Sequence, residues 1–263
     1  MNSSSPQTTQ TARADHIAIV GATSAIAEHC ARLWAMRQPA RITLIGRDVA
    51  RLERIAADLA VRAPKAHIGV LPQGDATDPQ AIDDVVARAA ADVPVDIALI
   101  AHGLLPDQAR CQQDLGTNAQ ALALNGASPA LYAEAFVQRM QPAGRGTVAV
   151  IGSVAGDRGR KSNYVYGAAK ALVARYMQGL QHRLALENSP VRAVLIQPGP
   201  TDTPMTAHLK AQGARLAPVE GVAQAIVRAI DRGQPVVYVP GKWALVMFVI
   251  RHLPRFVFHK MDI

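Results

Sequence analysis

The chain has 263 residues, 49 % of them apolar, with a formal net charge of +8 and two cysteines. That length and apolar share suit one α/β domain with a sizeable core, while Cys30 and Cys111 are too few for a disulfide framework or a metal-ligand cluster. The basic residues stand singly, without Lys/Arg runs or aromatic interleaving, which argues against a nucleic-acid partner and leaves an anionic cofactor or an anionic membrane surface to explain the charge.

Residues 1–15 are rich in Ser, Thr and Gln and lack an apolar centre, so a disordered leader is expected there rather than a signal peptide or a helix. From residue 16 to about 240, short apolar runs alternate with longer helical patterns. Strands are expected at 17–20, 42–45, 67–71, 95–100, 147–151, 191–196 and 235–239, and helices at 24–36, 48–62, 79–91, 118–140, 162–187 and 218–232. Most of the strand runs are continuously apolar, as in a parallel sheet covered on both faces. Repeated βαβ units with right-handed crossovers give a Rossmann-type, doubly wound α/β domain spanning 16–240. No run of about 18 or more apolar residues occurs, so no membrane-spanning helix is expected. The cysteine usage fits a reducing, cytoplasmic setting.

The first turn reads Val20-Gly21-Ala22-Thr23-Ser24-Ala25-Ile26-Ala27. It follows a strand and opens a helix, which is the context for a dinucleotide pyrophosphate at a helix N-terminus. The second strand ends Leu44-Ile45-Gly46-Arg47-Asp48. A carboxylate at the strand end would hold the adenosine ribose hydroxyls of NAD; Gly46 stands there instead, and the Arg47 guanidinium can pair with a 2′-phosphate. NADP(H) is therefore favoured, with NAD(H) as the alternative. Asp48 and Asp78 read as helix caps. His102, after the fourth strand, invites a catalytic role, but the proton chemistry has better candidates. Asn125 lies inside a helical pattern, where Asn is a poor helix former.

Those candidates are in Ser162-Asn163-Tyr164-Val165-Tyr166-Gly167-Ala168-Ala169-Lys170. Tyr166 and Lys170 are four apart and share a helix face. An ammonium beside a phenol is expected to lower the tyrosine pKa towards working pH, so that the phenol can give or take a proton at a carbonyl or hydroxyl. Ser153 ends the strand run 147–151 and stands thirteen residues before Tyr166 (153 to 166). Its hydroxyl could bond the same substrate oxygen.

Through these residues the stretch 16–240 resembles the short-chain dehydrogenase/reductase family. Its Gly-x-x-x-Gly-x-Gly fingerprint is matched by Gly21, with Ala25 and Ala27 standing for the later glycines. The resemblance implies that Gly21, Thr23, Ser24, Ala25 and Ile26 cradle the cofactor, with Ala101 and Gly103 at the fourth strand. It also implies that Asp75 accepts from the adenine amino group, that Lys170 bonds the nicotinamide ribose, and that Asn125 holds a water next to Lys170. Gln197-Pro198-Gly199-Pro200-Thr201-Asp202-Thr203 resembles the Pro-Gly-x-x-x-Thr segment, whose Thr203 would touch the nicotinamide carboxamide along with Pro198 and Gly199. The activity implied is reduction of a ketone to a secondary alcohol, or the reverse, with Tyr166, Lys170, Ser153 and Asn125 as catalytic residues. A homodimer or homotetramer built on the two longest helices is implied as well.

Residues 241–263 are unusual. Trp243 to Ile250 are eight consecutive apolar residues, flanked by Lys242, Arg251, Arg255 and Lys260. A helix apolar all round must be covered, whether by the protein's own core, a sister subunit or lipid. As an interfacial anchor the tail would bring peripheral membrane contact. With the first turn, it resembles the branch containing decaprenylphosphoryl-2-keto-erythro-pentose reductase, which implies a polyprenyl-phosphate-linked keto-sugar as substrate. Two readings from other classes stand beside the enzyme: a catalytically silent dinucleotide-binding sensor, and a membrane-interaction protein.

Overall fold

A computed structural model describes residues 15–261. The leader expected at 1–15 lies, apart from Asp15, outside the described residues. The chain runs β1 (His16–Val20), α1 (Ala25–Ala35), β2 (Arg41–Gly46), α2 (Val49–Arg62), β3 (His67–Pro72), α3 (Pro79–Ala90), β4 (Ile97–Ile100), α4 (Gln108–Gln113) and α5 (Leu115–Leu122). A π-helical turn (Ala123–Ala127) leads into α6 (Ser128–Met140), β5 (Thr147–Ile151), a 3-10 turn (Val154–Gly156), α7 (Tyr164–Leu186) and β6 (Arg192–Pro198). A second 3-10 turn (Pro204–Thr206), α8 (Ala207–Ala211), α9 (Val219–Arg232), β7 (Val236–Val239), α10 (Lys242–His252) and α11 (Arg255–Phe258) complete it.

The seven strands form one parallel sheet in the order β3-β2-β1-β4-β5-β6-β7. This is the doubly wound architecture that alternation of strand and helix predicts. β1 is buried along its whole length because both its faces are covered. Ile17 and Ile19 pack with Trp34 of α1, Leu52 of α2 and Ile226 of α9. Ala18 and Val20 point the other way, towards Val85 of α3, Phe136 of α6 and Met177 of α7. The strand order reverses between β1 and β4, and a sheet of this kind opens a crevice beyond the strand carboxyl ends at such a switch point.

Two departures from the expected elements shape the region beside this crevice. The helix expected at 118–140 starts earlier, at Leu115, where the Asp114 carboxylate accepts from Gly116 N at 2.8 Å. It is also broken by the π turn at Asn125, whose side chain is buried and bonded at both ends. Nδ2 donates to Ala121 O at 3.0 Å, and Oδ1 accepts from Leu104 N at 2.9 Å. One widened turn of this kind often marks a functional residue. The other departure is α4, a short helix not expected from the sequence, capped by Asp107.

The C-terminal apolar run forms α10, in which Met247 is buried while Leu245, Phe248 and Val249 remain exposed. The protein's own core thus covers one side of this helix only. Among the described residues, no helix is long and apolar enough to cross a membrane.

Candidate active site

A cavity of ≈ 690 Å³ opens at the switch point. Gly21 forms its floor with a left-handed φ of +72°, and a Cβ there would lie 2.5 Å from the His102 backbone nitrogen. Only glycine lets the β1–α1 turn pass so close to the end of β4. α1 then begins with Ser24 as N-cap, making no side-chain cap bond, and the first helical bond is Glu28 N to Ser24 O. By contrast α2, α3, α4 and α5 are each capped by an aspartate that accepts a backbone N–H. The α1 terminus therefore presents free N–H groups and the positive end of its dipole to the cavity, a ready anion site.

At one end of the cavity lie Gly46, Arg47, Asp48 and Arg51. Asp48 accepts from Arg51 N at 3.0 Å, as a cap should. At the other end Ser153, Tyr166, Lys170 and Asn125 converge. β5 delivers Ser153, whose Oγ accepts from Ala155 N at 3.1 Å. α7 carries Tyr166 and Lys170, with the Lys170 Nζ 5.7 Å from the Tyr166 ring centroid. The ammonium donates to Ile151 O at 2.9 Å, which ties the helix to the end of β5.

The electrostatics differ from the expected lowering of the Tyr166 pKa. Burial pushes the phenol up to about 12, although a hydrogen bond with Ser153 opposes the rise. Burial also pulls Lys170 down to about 8. Both charged forms lose their hydration, and that outweighs the attraction of one charge for the other. At neutral pH Tyr166 is accordingly a protonated phenol, the form that donates to a carbonyl oxygen. His102 is pulled down to about 3, chiefly by burial and then by Lys170 and Arg47. Neutral, and bonded through Nε2 to Ser128 Oγ at 2.8 Å, it fills the wall between α6 and the cavity floor.

The cavity collects nearly all the residues expected to hold a cofactor: Gly21, Thr23, Ser24, Ala25, Ile26, Arg47, Ala101, Gly103, Lys170, Pro198, Gly199 and Thr203 all line it. Asp75 does not. Its Oδ1 accepts from Thr77 N at 2.8 Å and from Thr77 Oγ1 at 2.7 Å, and these bonds, with a smaller contribution from Arg47, hold the carboxyl below its usual range. Gln73 and Ala76 line the cavity on either side of it. Sequence reasoning passed over Arg51, in the first turn of α2 just after Arg47, and also Arg160 and Asn163, which join the catalytic end.

A sequence model described as short chain dehydrogenase matches residues 15–214. The chain belongs to the short-chain dehydrogenase family. It is 36 % identical over 248 residues to Uncharacterized oxidoreductase Rv2073c of Mycobacterium tuberculosis, covering 93 % of this chain and 96 % of that one. An uncharacterized oxidoreductase in the mprA 5′ region of Streptomyces coelicolor is 33 % identical, covering 92 % of this chain and 94 % of the relative. The solved structure of levodione reductase shares the fold with a TM-score of 0.75 over 87 % of this chain and 97 % of its own, at 22 % identity. As a short-chain dehydrogenase the protein is an oxidoreductase using a nicotinamide dinucleotide. The uncapped α1 terminus suits the pyrophosphate, and the lining from Arg47 to Lys170 provides a continuous bed for the rest.

The C-terminal helices pack behind the site rather than lining it. Trp243 of α10 packs on Gly199, where a Cβ would meet the indole Nε1 at 2.0 Å, so glycine is needed for the close approach. Arg158, on the loop between Ser153 and Tyr166, reaches the same helices. Its Nη1 donates to the carbonyls of Ile250 and Leu253, and the guanidinium lies 3.9 Å from the Phe258 ring centroid.

Proposed function

We propose that this dehydrogenase uses NADPH to reduce a ketone to a secondary alcohol. The observation that carries the reading is a neutral phenol beside a buried ammonium and a strand-end hydroxyl, all lining one end of a cavity whose other end bears two arginines. The bound cofactor supplies hydride to the carbonyl carbon. Ser153 orients the carbonyl oxygen, and Tyr166 gives it a proton. Lys170 stabilises the phenolate left behind, and more strongly in a dry site than in water. Asn125, held between Ala121 O and Leu104 N, fixes the backbone beside Lys170 and supports a water relay to it. Arg47 makes no ion pair among the described residues and is available to a 2′-phosphate, which favours NADPH over NADH.

The exposed Leu122 of α5, Leu131 of α6 and Leu172 of α7 support pairing of these helices between subunits in a dimer or tetramer. The uncovered side of α10, with Lys242, Arg251, Arg255 and Lys260 around it, supports peripheral attachment to an anionic membrane surface. A lipid contact on the helix that backs Gly199 at the cavity edge suits a ketone presented at that surface, and a polyprenyl-phosphate-linked keto-sugar meets this description.

The decisive test is Tyr166→Phe. Turnover of a ketone with NADPH should fall by roughly 10²–10⁴-fold, the usual worth of a general acid. NADPH binding, followed by its fluorescence, should stay near wild type. Retained turnover in the variant removes Tyr166 from the chemistry.

A further inference from the structure

Arg160 stands in the loop between the Val154–Gly156 turn and α7, and it lines the catalytic end of the cavity with Ser153, Asn163 and Tyr166. Its Nε is buried and has no hydrogen-bond partner. Among the described residues no carboxylate offsets its charge: burial alone moves its pKa, and the direction is down. The acids on the surrounding segments are engaged elsewhere. Asp157 accepts from Tyr238 Oη at 2.8 Å, Asp107 caps α4, and Asp202 pairs with Lys210. Among the described residues, the only carboxylate lining the cavity is Asp48, at its far end, where it caps α2. A guanidinium kept partly dry and unpaired is costly unless an anion meets it.

A second orphan group faces the same space. Asn163 is the N-cap residue of α7, yet its side chain makes no cap bond and its Oδ1 is buried without a partner. The N–H it could have capped is taken by another element, since Gln108 Oε1 of α4 accepts from Val165 N at 3.1 Å. The short helix α4 thus frees Asn163 from the helix terminus and leaves its amide to the cavity.

We propose that Arg160 determines specificity by receiving an anionic group, a carboxylate or a phosphate ester, borne by the ketone that Tyr166 protonates, while Asn163 accepts a hydrogen bond from a neighbouring hydroxyl of the same molecule. The substrate class is then an anionic hydroxy-ketone. The inference rests on the ketone-reductase reading of the site. The guanidinium fork matches either oxyanion in two parallel hydrogen bonds.

The test uses two pairs of probes on the full chain: levulinate against its methyl ester, and dihydroxyacetone phosphate against dihydroxyacetone. Each is titrated into the NADP⁺ complex by thermal shift and offered as substrate with NADPH. The charged member of at least one pair should bind and react at least tenfold better than its neutral partner, and the pair showing this identifies carboxylate or phosphate. Arg160→Leu should erase the preference, raising KM for the charged member at least tenfold more than for its neutral partner, and Arg160→Lys should restore part of it. Equal binding of charged and neutral members in both pairs overturns the proposal, as does a preference that survives in Arg160→Leu. Because binding is read separately from turnover, anion-selective binding without reduction upholds Arg160 and counts instead against the reductase reading.

Discussion

Replacing Lys170 by methionine separates what the residue does for catalysis from what it costs the fold. Lys170 is 3 % exposed, and burial lowers its pKa from 10.5 to about 8. Keeping the ammonium charged in that dry setting costs the fold roughly 3 kcal/mol at neutral pH. Methionine fills a similar volume without the charge, but it leaves Ile151 O without its donor, a loss of about 1–3 kcal/mol. At pH 7 the variant should be as stable as the wild type or up to about 2 kcal/mol more stable. For a chain of this size that is a rise of up to roughly 4–8 °C in melting temperature. Between pH 8 and 10.5 the unfolded chain binds the Lys170 proton while the folded chain has released it, so wild-type stability rises with pH there relative to the variant. Cys30 and Tyr132, both raised by burial, act in the opposite sense at alkaline pH, but they are common to both proteins and cancel in the difference. Scanning calorimetry of the pair from pH 6 to 10.5 should show the variant's advantage shrinking above pH 8. Turnover should fall by about 10²–10³-fold, the scale of a lost electrostatic contact at a reacting oxygen. A stability difference that does not change with pH would show that no buried ammonium is being titrated, and the proposed stabilisation of the phenolate would lose its basis.

Three further outcomes are expected. Arg47→Ala should reduce the preference for NADPH over NADH at least about tenfold, from the worth of a charge-assisted phosphate contact; equal dissociation constants for the two cofactors in the wild type would refute the NADP assignment. Light scattering at micromolar concentration should give a dimer or tetramer, and a monomer would refute pairing through α5, α6 and α7. The wild type should sediment with anionic liposomes, less so as salt rises, and Leu245→Glu with Phe256→Glu should prevent it, since these side chains are 70 % and 71 % exposed and need no repacking. Wild-type protein that stays in the supernatant at low salt would eliminate lipid as the cover for α10.

The sheet was legible because a strand buried on both faces must be apolar, as β4 is throughout and β1 is from Ile17 to Val20, and nothing outside the strand alters that requirement. Tyr166, Lys170 and Ser153 were legible through spacing. The π turn was not, because it depends on Leu104 N, a donor twenty-one positions from Asn125. The Tyr166 pKa was misjudged for a related reason. Sequence shows that an ammonium is one turn away, but it does not show that both groups are buried, and burial dominates. Arg160 left no pattern at all. An unpaired arginine in a loop looks the same as a solvated one until the surrounding acids are each accounted for.

One short segment joins these parts. Between Ser153 and Tyr166, Asp157 accepts from Tyr238 of β7, Arg158 grips α10 and α11, and Arg160 enters the cavity. The loop that spaces two catalytic side chains is therefore the loop that holds the C-terminal helices, and those helices press Trp243 onto Gly199 beside the expected nicotinamide position. The tail is not a separable appendage: removing it would leave Arg158 without its partners in α10 and α11 and uncover Gly199. The exposed side of α10 therefore belongs to a helix held by Arg158, a residue of the same short loop that carries Ser153 at one end and leads into Tyr166 at the other.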